Sequence, residues 1–164
     1  MYKKIMVPLD GSELAECVLP HVKEFVSCFH VETVIFVRVM EPTPARYSEM
    51  GSTTNPHAFE SIQKEIKMID ERRRSSIARY LNQTISRVRQ DGTKFKADVL
   101  VGQIADRLAD YVDANGIDLV LIATHGRSGI SRWVRGSIAE KVLRSSNAPV
   151  LMVRAGDEMS GEKA

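Results

Sequence analysis

The chain has 164 residues, 43% of them hydrophobic, and a formal net charge of +2 at pH 7. This length suits a single domain, and we expect one domain over residues 1–155 followed by a polar tail, 156–164. The small net charge argues against a nucleic-acid partner. A membrane span needs about 18 or more consecutive apolar residues, and neither such a run nor a signal peptide is apparent, which predicts a cytoplasmic protein.

The first half of the chain alternates strand and helix. Lys3–Pro8 is an apolar strand that ends in the turn Asp10-Gly11-Ser12. This turn caps a helix with apolar positions spaced from Leu14 to Phe29, and we expect Pro20 to kink that helix slightly. Residues 32–40 form the second strand. Residues 41–57 contain three prolines and a glycine, which indicates a long mobile surface loop, with a lid as one interpretation.

The second half continues the alternation. Residues 58–90 form a helix whose apolar stripe is interrupted by Arg73, which we interpret as part of a solvated face rather than a binding patch. The apolar residues at positions 95, 97, 99 and 101 alternate with Lys94, Lys96 and Asp98, as is typical of an edge strand. The remaining elements are a helix over 104–115 with Gly116 as its left-handed cap, a buried strand over 119–123, a helix over 137–144 and a final strand over 150–153.

Strands that alternate with helices predict an α/β fold: a doubly wound, five-stranded parallel sheet covered by helices on both faces. With strand order 3-2-1-4-5, the turns after the first and fourth strands would be neighbours at the switch point, where such sheets bind ligands. The loop after the second strand, from Val39 onward, would form the third wall of the crevice. The four histidines and two cysteines show no metal-ligand spacing.

A glycine-bearing loop connects the fourth strand to the fourth helix. It ends in Gly136-Ser137, and Ser137 with Glu140 forms the pattern of a capping box. The free amides of such a loop and the positive end of the following helix dipole can bind an anion. The alternative is that Gly136-Ser137 only marks the start of a helix and binds no ligand.

The segments VPLDGS (7–12) and ATHGRSGISRWVRGSIAEKVLRSSNAPVLMVR (123–154) resemble the universal stress protein family, and the similarity covers nearly the whole chain. The nucleotide-binding branch of that family carries glycine, two residues, glycine, nine residues, glycine, then serine or threonine. Gly126, Gly136 and Ser137 fit this spacing, whereas Ala123 stands at the first glycine position.

The resemblance implies a Rossmann-like fold that binds ATP, with or without Mg²⁺ or Mn²⁺. It implies that Pro8, Leu9 and Asp10 line the adenosine, that the backbone of Val39 reads the adenine edge, and that Ile122 and Ala123 lie beneath the ribose. It places these residues around the phosphates: Gly126, Arg127, Gly129, Gly136, Ser137 and Ile138. Taken alone, Asp10 equally suits a turn cap, and core packing is the simpler explanation for Val39 and Ile122.

Three functions follow from the resemblance. The first is a dimeric, ATP-binding stress-response module, with a homodimer formed through the strand Val150–Val153. The second is a nucleotide-free dimeric interaction protein of the same fold. The third is a slow ATPase, since the chain lacks the GxxxxGK[ST] loop that fixes a lysine against the phosphates. No catalytic residue is assigned.

Overall fold

The structure is a computed structural model that describes residues 2–43, 56–124 and 138–155. Strands and helices alternate along the chain, as the sequence predicts. The strands are β1 Lys4–Pro8, β2 Thr33–Met40, β3 Lys94–Val101, β4 Leu119–Thr124 and β5 Val150–Arg154. The helices are α1 Leu19–Cys28, α2 Pro56–Val88, α3 Ile104–Asn115 and α4 Ile138–Ser145, and a 3-10 turn, Ala15–Val18, precedes α1.

The five strands form one parallel sheet in the order β3-β2-β1-β4-β5. The predicted order 3-2-1-4-5 is therefore confirmed, with β3 and β5 at the two edges. Because all five strands run in the same direction, the carboxyl ends of β1, β2 and β4 lie along one side of the sheet, which we call the carboxyl edge. The carboxyl edge brings together turns that are more than 100 residues apart in sequence.

Two apolar cores cover the two faces of the sheet. On one face, strand residues such as Val7 and Phe36 pack with Val22 of α1 and Leu81 of α2. On the other face, their strand neighbours pack against α3 and α4 in a cluster that includes Met6, Ile35, Val120, Leu108, Val112 and Val142. Successive strand residues alternate between the two cores, which explains why the central strands carry apolar residues on both faces.

The first helix differs from the sequence prediction. Instead of one helix kinked at Pro20, a 3-10 turn leads into α1, and Pro20 occupies the first turn of that helix. The missing N–H of proline costs no helical hydrogen bond there. Cys28 is exposed at the carboxyl end of α1, and both Cys17 and Cys28 are free thiols.

The predicted cap of α3 is confirmed. Gly116 ends α3 in the left-handed conformation, with φ 59° and ψ 52°, which glycine adopts without a Cβ penalty. None of the described helices is long and apolar enough to span a bilayer. Most of the predicted lid loop (44–55) and the polar tail (156–164) lie outside the described residues, so their predicted roles are not tested.

Candidate functional site

The ends of β1, β2 and β4 meet at the place where the sequence predicts a ligand site. Pro8 pairs in register with Val37, which puts Asp10 level with Val39. The register between β1 and β4 pairs Met6 with Val120, and extending it by two residues puts Pro8 level with Ile122. The structure therefore brings together these six predicted site residues: Pro8, Leu9, Asp10, Val39, Ile122 and Ala123.

The backbone of Val39 faces the crevice. The N–H of Leu9 donates to the carbonyl of Val37 at 2.9 Å, and the N–H of Gly102 donates to the carbonyl of Met40 at 3.1 Å. Alternate residues of β2 thus direct their backbone groups towards β1 and towards β3. Val39 faces the β1 side, one step beyond the last backbone hydrogen bond between Leu9 and β2, and its amide and carbonyl have no backbone partner on the β1 side among the described residues.

The side chains of Leu9 and Ile122 belong to the core. Leu9 is 4% exposed and Ile122 is 6% exposed, and they pack on opposite faces of the sheet. Any ligand at this edge would therefore meet their backbone or the ends of their side chains. Core packing, the alternative raised for Ile122, accounts for its side chain.

Asp10 closes the turn after β1. Its Oδ1 accepts hydrogen bonds from the amide of Ser12 at 2.8 Å and from the Ser12 hydroxyl at 2.6 Å. Ser12 Oγ in turn accepts from the amide of Ala15 at 3.1 Å. Partial burial raises the pKa of Asp10, but the hydrogen bonds from Ser12 and the charge of Arg38 outweigh burial and lower it. Asp10 therefore presents a carboxylate at the carboxyl edge at neutral pH.

Arg38 covers this turn, and the sequence reasoning missed it. Gly11 has φ +86°, and a Cβ atom there would lie 2.5 Å from Arg38 Nη1. The guanidinium carbon lies 5.8 Å from the centroid of the Tyr80 ring, within the range of a cation–π contact. Arg38 is the single charged residue of β2, and a lone charge in an apolar strand is the signal that could have revealed it.

A second contact fastens α2 to the same region. The Tyr80 hydroxyl donates to Glu16 Oε1 at 3.0 Å, and Arg87 Nη1 donates to Glu16 Oε2 at 2.5 Å. Burial and the hydrogen bond to Glu16 raise the pKa of Tyr80 to about 12, so the hydroxyl stays protonated and keeps donating. The segment that follows the Asp10 turn is thereby held against α2 through Glu16.

The exit of β2 is also anchored to α2. The amide and hydroxyl of Thr43 donate to Asp70 Oδ1 at 3.3 and 2.6 Å. Arg73 Nη1 donates to the carbonyl of Glu41 at 3.2 Å and to Thr43 Oγ1 at 3.1 Å. The sequence placed Arg73 on a solvated face, whereas the structure shows that it fixes the chain where β2 ends.

The glycine loop lies outside the described residues, including Gly126, Arg127, Gly129, Gly136 and Ser137. The structure begins again at Ile138, the first residue of α4, which is 41% exposed. α4 follows β4 through this loop and packs on β4 and β5, so its amino terminus starts from the carboxyl edge. Among the described residues, no group of three or more His, Cys, Asp or Glu side chains is placed to hold a metal ion.

Comparison with known proteins shows the family. The model of the universal stress protein family matches residues 1–154. The chain belongs to this family. It is 27% identical over 158 residues to universal stress protein MJ0577 of Methanocaldococcus jannaschii, covering 94% of this chain and 96% of the relative. It is 28% identical over 156 residues to universal stress protein G of Escherichia coli O157:H7, covering 94% of this chain and 100% of the relative.

Solved structures of universal stress proteins share the fold. The structure of MJ0577 has a TM-score of 0.72 at 25% identity, covering 96% of this chain and 99% of that one. A universal stress protein from Archaeoglobus fulgidus in complex with dAMP has a TM-score of 0.54 at 22% identity, with 92% and 97% coverage. A further universal stress protein, in complex with cAMP, has a TM-score of 0.58 at 19% identity, with 94% and 98% coverage.

Proposed function

We propose that this universal stress protein binds an adenine nucleotide, ATP in the first place, at the carboxyl edge of β1, β2 and β4. The observation that carries the proposal is the backbone of Val39, which has no partner on the β1 side within the described part of the chain and lies beside the Asp10 turn at the switch point of the sheet. Family members of the same fold form complexes with dAMP and with cAMP, which supports an adenine nucleotide as the ligand class.

Each part of the nucleotide has a suitable partner. Adenine presents an amino donor next to a ring-nitrogen acceptor, which match the carbonyl and amide of Val39. The ionised Asp10 suits a ribose hydroxyl, as acidic residues do in other doubly wound sheets. The phosphates would be bound by the loop containing Gly126, Arg127, Gly129, Gly136 and Ser137, together with the amino terminus of α4 at Ile138.

A divalent metal fits this site only as a companion of the phosphates. Asp10 supplies a carboxylate at the edge, and Mg²⁺ is commonly held by one or two carboxylates together with substrate phosphates. Mg²⁺ or Mn²⁺ would therefore arrive with ATP rather than occupy a metal site built by the protein.

We expect ATP to stabilise the protein by binding only its folded form. At a concentration about 100 times the dissociation constant, a ligand adds about 2.7 kcal/mol, or roughly 5 to 10 °C in Tm for a chain of this size. Differential scanning fluorimetry with ATP, ADP and AMP tests this, and GTP serves as the control for base recognition. The absence of a shift with every adenine nucleotide would favour the nucleotide-free interaction protein instead, with Ala123 as the residue that departs from the motif.

Slow hydrolysis is a separate question from binding. Phosphate release that disappears in Asp10→Ala but persists in Asp91→Ala, a substitution in the turn between α2 and β3, would establish an ATPase. Binding without phosphate release is the result we expect, because no P-loop lysine is available to the β- and γ-phosphates.

We further propose a cytoplasmic homodimer that forms through β5. β5 is an edge strand, and Leu151 on it is 38% exposed. An edge strand presents unpaired backbone groups, and pairing two copies about a twofold axis would satisfy them and cover Leu151.

Leu151→Lys is expected to shift the protein from dimer to monomer, because a lysine on an edge strand opposes strand pairing. Light scattering at tens of micromolar measures the mass. Val101→Lys is the matched control, since Val101 is also 38% exposed but lies on β3 at the opposite edge. A wild-type monomer, or equal dissociation by both variants, would contradict the β5 interface.

A further inference from the structure

Positive charge is concentrated in one stretch of the chain. Residues 72–90, the second half of α2 and the two residues after it, contain six arginines and no aspartate or glutamate. The whole chain carries +2, so the remainder carries a net charge of −4. The small net charge of the whole chain conceals this separation of positive from negative residues. It is therefore a weak guide to the charge of the surface that α2 presents.

Only some of these arginines have a structural role. Arg73 holds the exit of β2, and Arg87 pairs with Glu16. Four others are exposed and make no hydrogen bond or ion pair within the part of the chain that the structure describes: Arg72, Arg74, Arg79 and Arg89. Their charge is available to a partner.

Two of the four share one side of the helix. α2 packs against the sheet through a stripe that includes Leu81, Ile85 and Val88, and the helical repeat of 3.6 residues puts Arg72 and Arg79 on the opposite side. The helical rise separates them by about 10 Å along the axis. We call this surface the arginine face, and it comprises Arg72, Ser75, Ser76, Arg79 and Gln83.

The polar residues of the arginine face suit the same kind of ligand. Ser75, Ser76 and Gln83 are exposed, and none of them is hydrogen-bonded within the described residues. A groove of about 410 Å³ runs between Arg72 and Arg79 and is also lined by Met68, Glu71 and both serines. Glu71 stands at the end of the arginine face, and no acidic side chain follows it up to Gln90.

We propose that the arginine face binds the phosphodiester backbone of a nucleic acid, without selecting a base sequence. Arginine, serine and glutamine are side chains that contact phosphates, and nucleic-acid interfaces are polar and strongly positive. A protein partner would require an apolar or aromatic centre, and a membrane surface would require an apolar helix face. The arginine face itself has neither, and the exposed Met68 and Ile69 lie about one helical turn before its first residue, Arg72.

Two phosphate contacts predict a weak, salt-dependent complex. The logarithm of the affinity falls by about 0.9 per contact for each tenfold rise in salt, so two contacts lower the affinity about 12-fold between 50 and 200 mM salt. Fluorescence anisotropy of a labelled 20-base-pair DNA duplex, titrated with the full chain in the absence of ATP, measures this slope. The result is independent of the nucleotide site.

The variant Arg72→Gln/Arg79→Gln is expected to lose at least about tenfold in affinity at 50 mM salt and most of the salt dependence. The matched control is Lys94→Gln/Lys96→Gln, which removes the same charge from exposed positions on β3. The control should bind within about threefold of wild type, and thermal melts of both variants verify that they fold.

Three results would overturn the proposal. The arginine variant could bind the duplex as wild type does, or the lysine control could lose as much affinity as the arginine variant. Alternatively, a polyglutamate peptide or anionic vesicles could displace the duplex at equal charge concentration, which would assign the face to an acidic protein or to a membrane instead.

Discussion

Gly11→Ala is expected to raise the dissociation constant for ATP at least about tenfold and to lower Tm by several degrees. Gly11 has φ +86°, and an alanine in this left-handed region costs about 1 to 2 kcal/mol. The new Cβ would also lie 2.5 Å from Arg38 Nη1, so Arg38 would have to leave its place over the turn. Because Asp10 precedes Gly11 directly, the carboxylate and the crevice wall would shift together.

Gly92→Ala separates backbone strain from the effect on the site. Gly92 has φ +88°, and a Cβ atom there would meet no atom within 4 Å. Its turn lies between α2 and β3, at the edge of the sheet where the strands begin. Calorimetric titration with ATP should therefore find wild-type affinity in this variant despite a similar loss of Tm. Equal affinity losses in both variants, or wild-type affinity in Gly11→Ala, would contradict the placement of the ligand beside the Asp10 turn.

Phe36→Ala is expected to produce the largest loss of stability among single core substitutions. Among the described residues, Phe36 is the largest fully buried side chain. It lies on β2 between Val7 of β1 and Ala97 of β3. Truncating a buried phenylalanine lowers the free energy of unfolding by about 3 to 5 kcal/mol, out of a total of about 5 to 15 kcal/mol for a domain. Urea unfolding followed by circular dichroism measures the change.

Phe29→Ala provides the comparison for that substitution. Phe29 is 39% exposed just beyond α1 and stacks on Phe25 at a ring-centroid distance of 5.1 Å, so we expect a loss of about 1 kcal/mol. A loss for Phe36→Ala as small as that for Phe29→Ala would mean that the core does not close around β2 as the structure shows.

The architecture was predictable because it depends on patterns that are local in sequence. Apolar runs such as Leu119–Ala123, each followed by a helical pattern, determine the alternation of strand and helix. Alternation then restricts the sheet to a parallel, doubly wound arrangement. The lysines at positions 94 and 96 correctly marked β3 as an edge strand.

The polar contacts around the site were not predictable in the same way. Glu16 and Arg87 are separated by 71 residues, and Thr43 and Asp70 by 27, and no local periodicity relates such pairs. The kink predicted at Pro20 was wrong for a different reason. Pro20 lies within a run of apolar residues at helical spacing, and that spacing does not show that the α-helix begins only at Leu19. The phosphate-binding role of Gly126 and Gly136 depends on the family motif and stays a prediction.

Amide chemical shifts during a titration with ATP test the central claim most directly. If the nucleotide binds where the carboxyl ends of the strands meet, the amide signals of Asp10, Val39 and Ala123 should move in a saturable manner, while those of Gly92 and Lys94 stay unchanged. Stationary signals at Asp10, Val39 and Ala123 with millimolar ATP, or shifts confined to residues remote from them, would contradict the account.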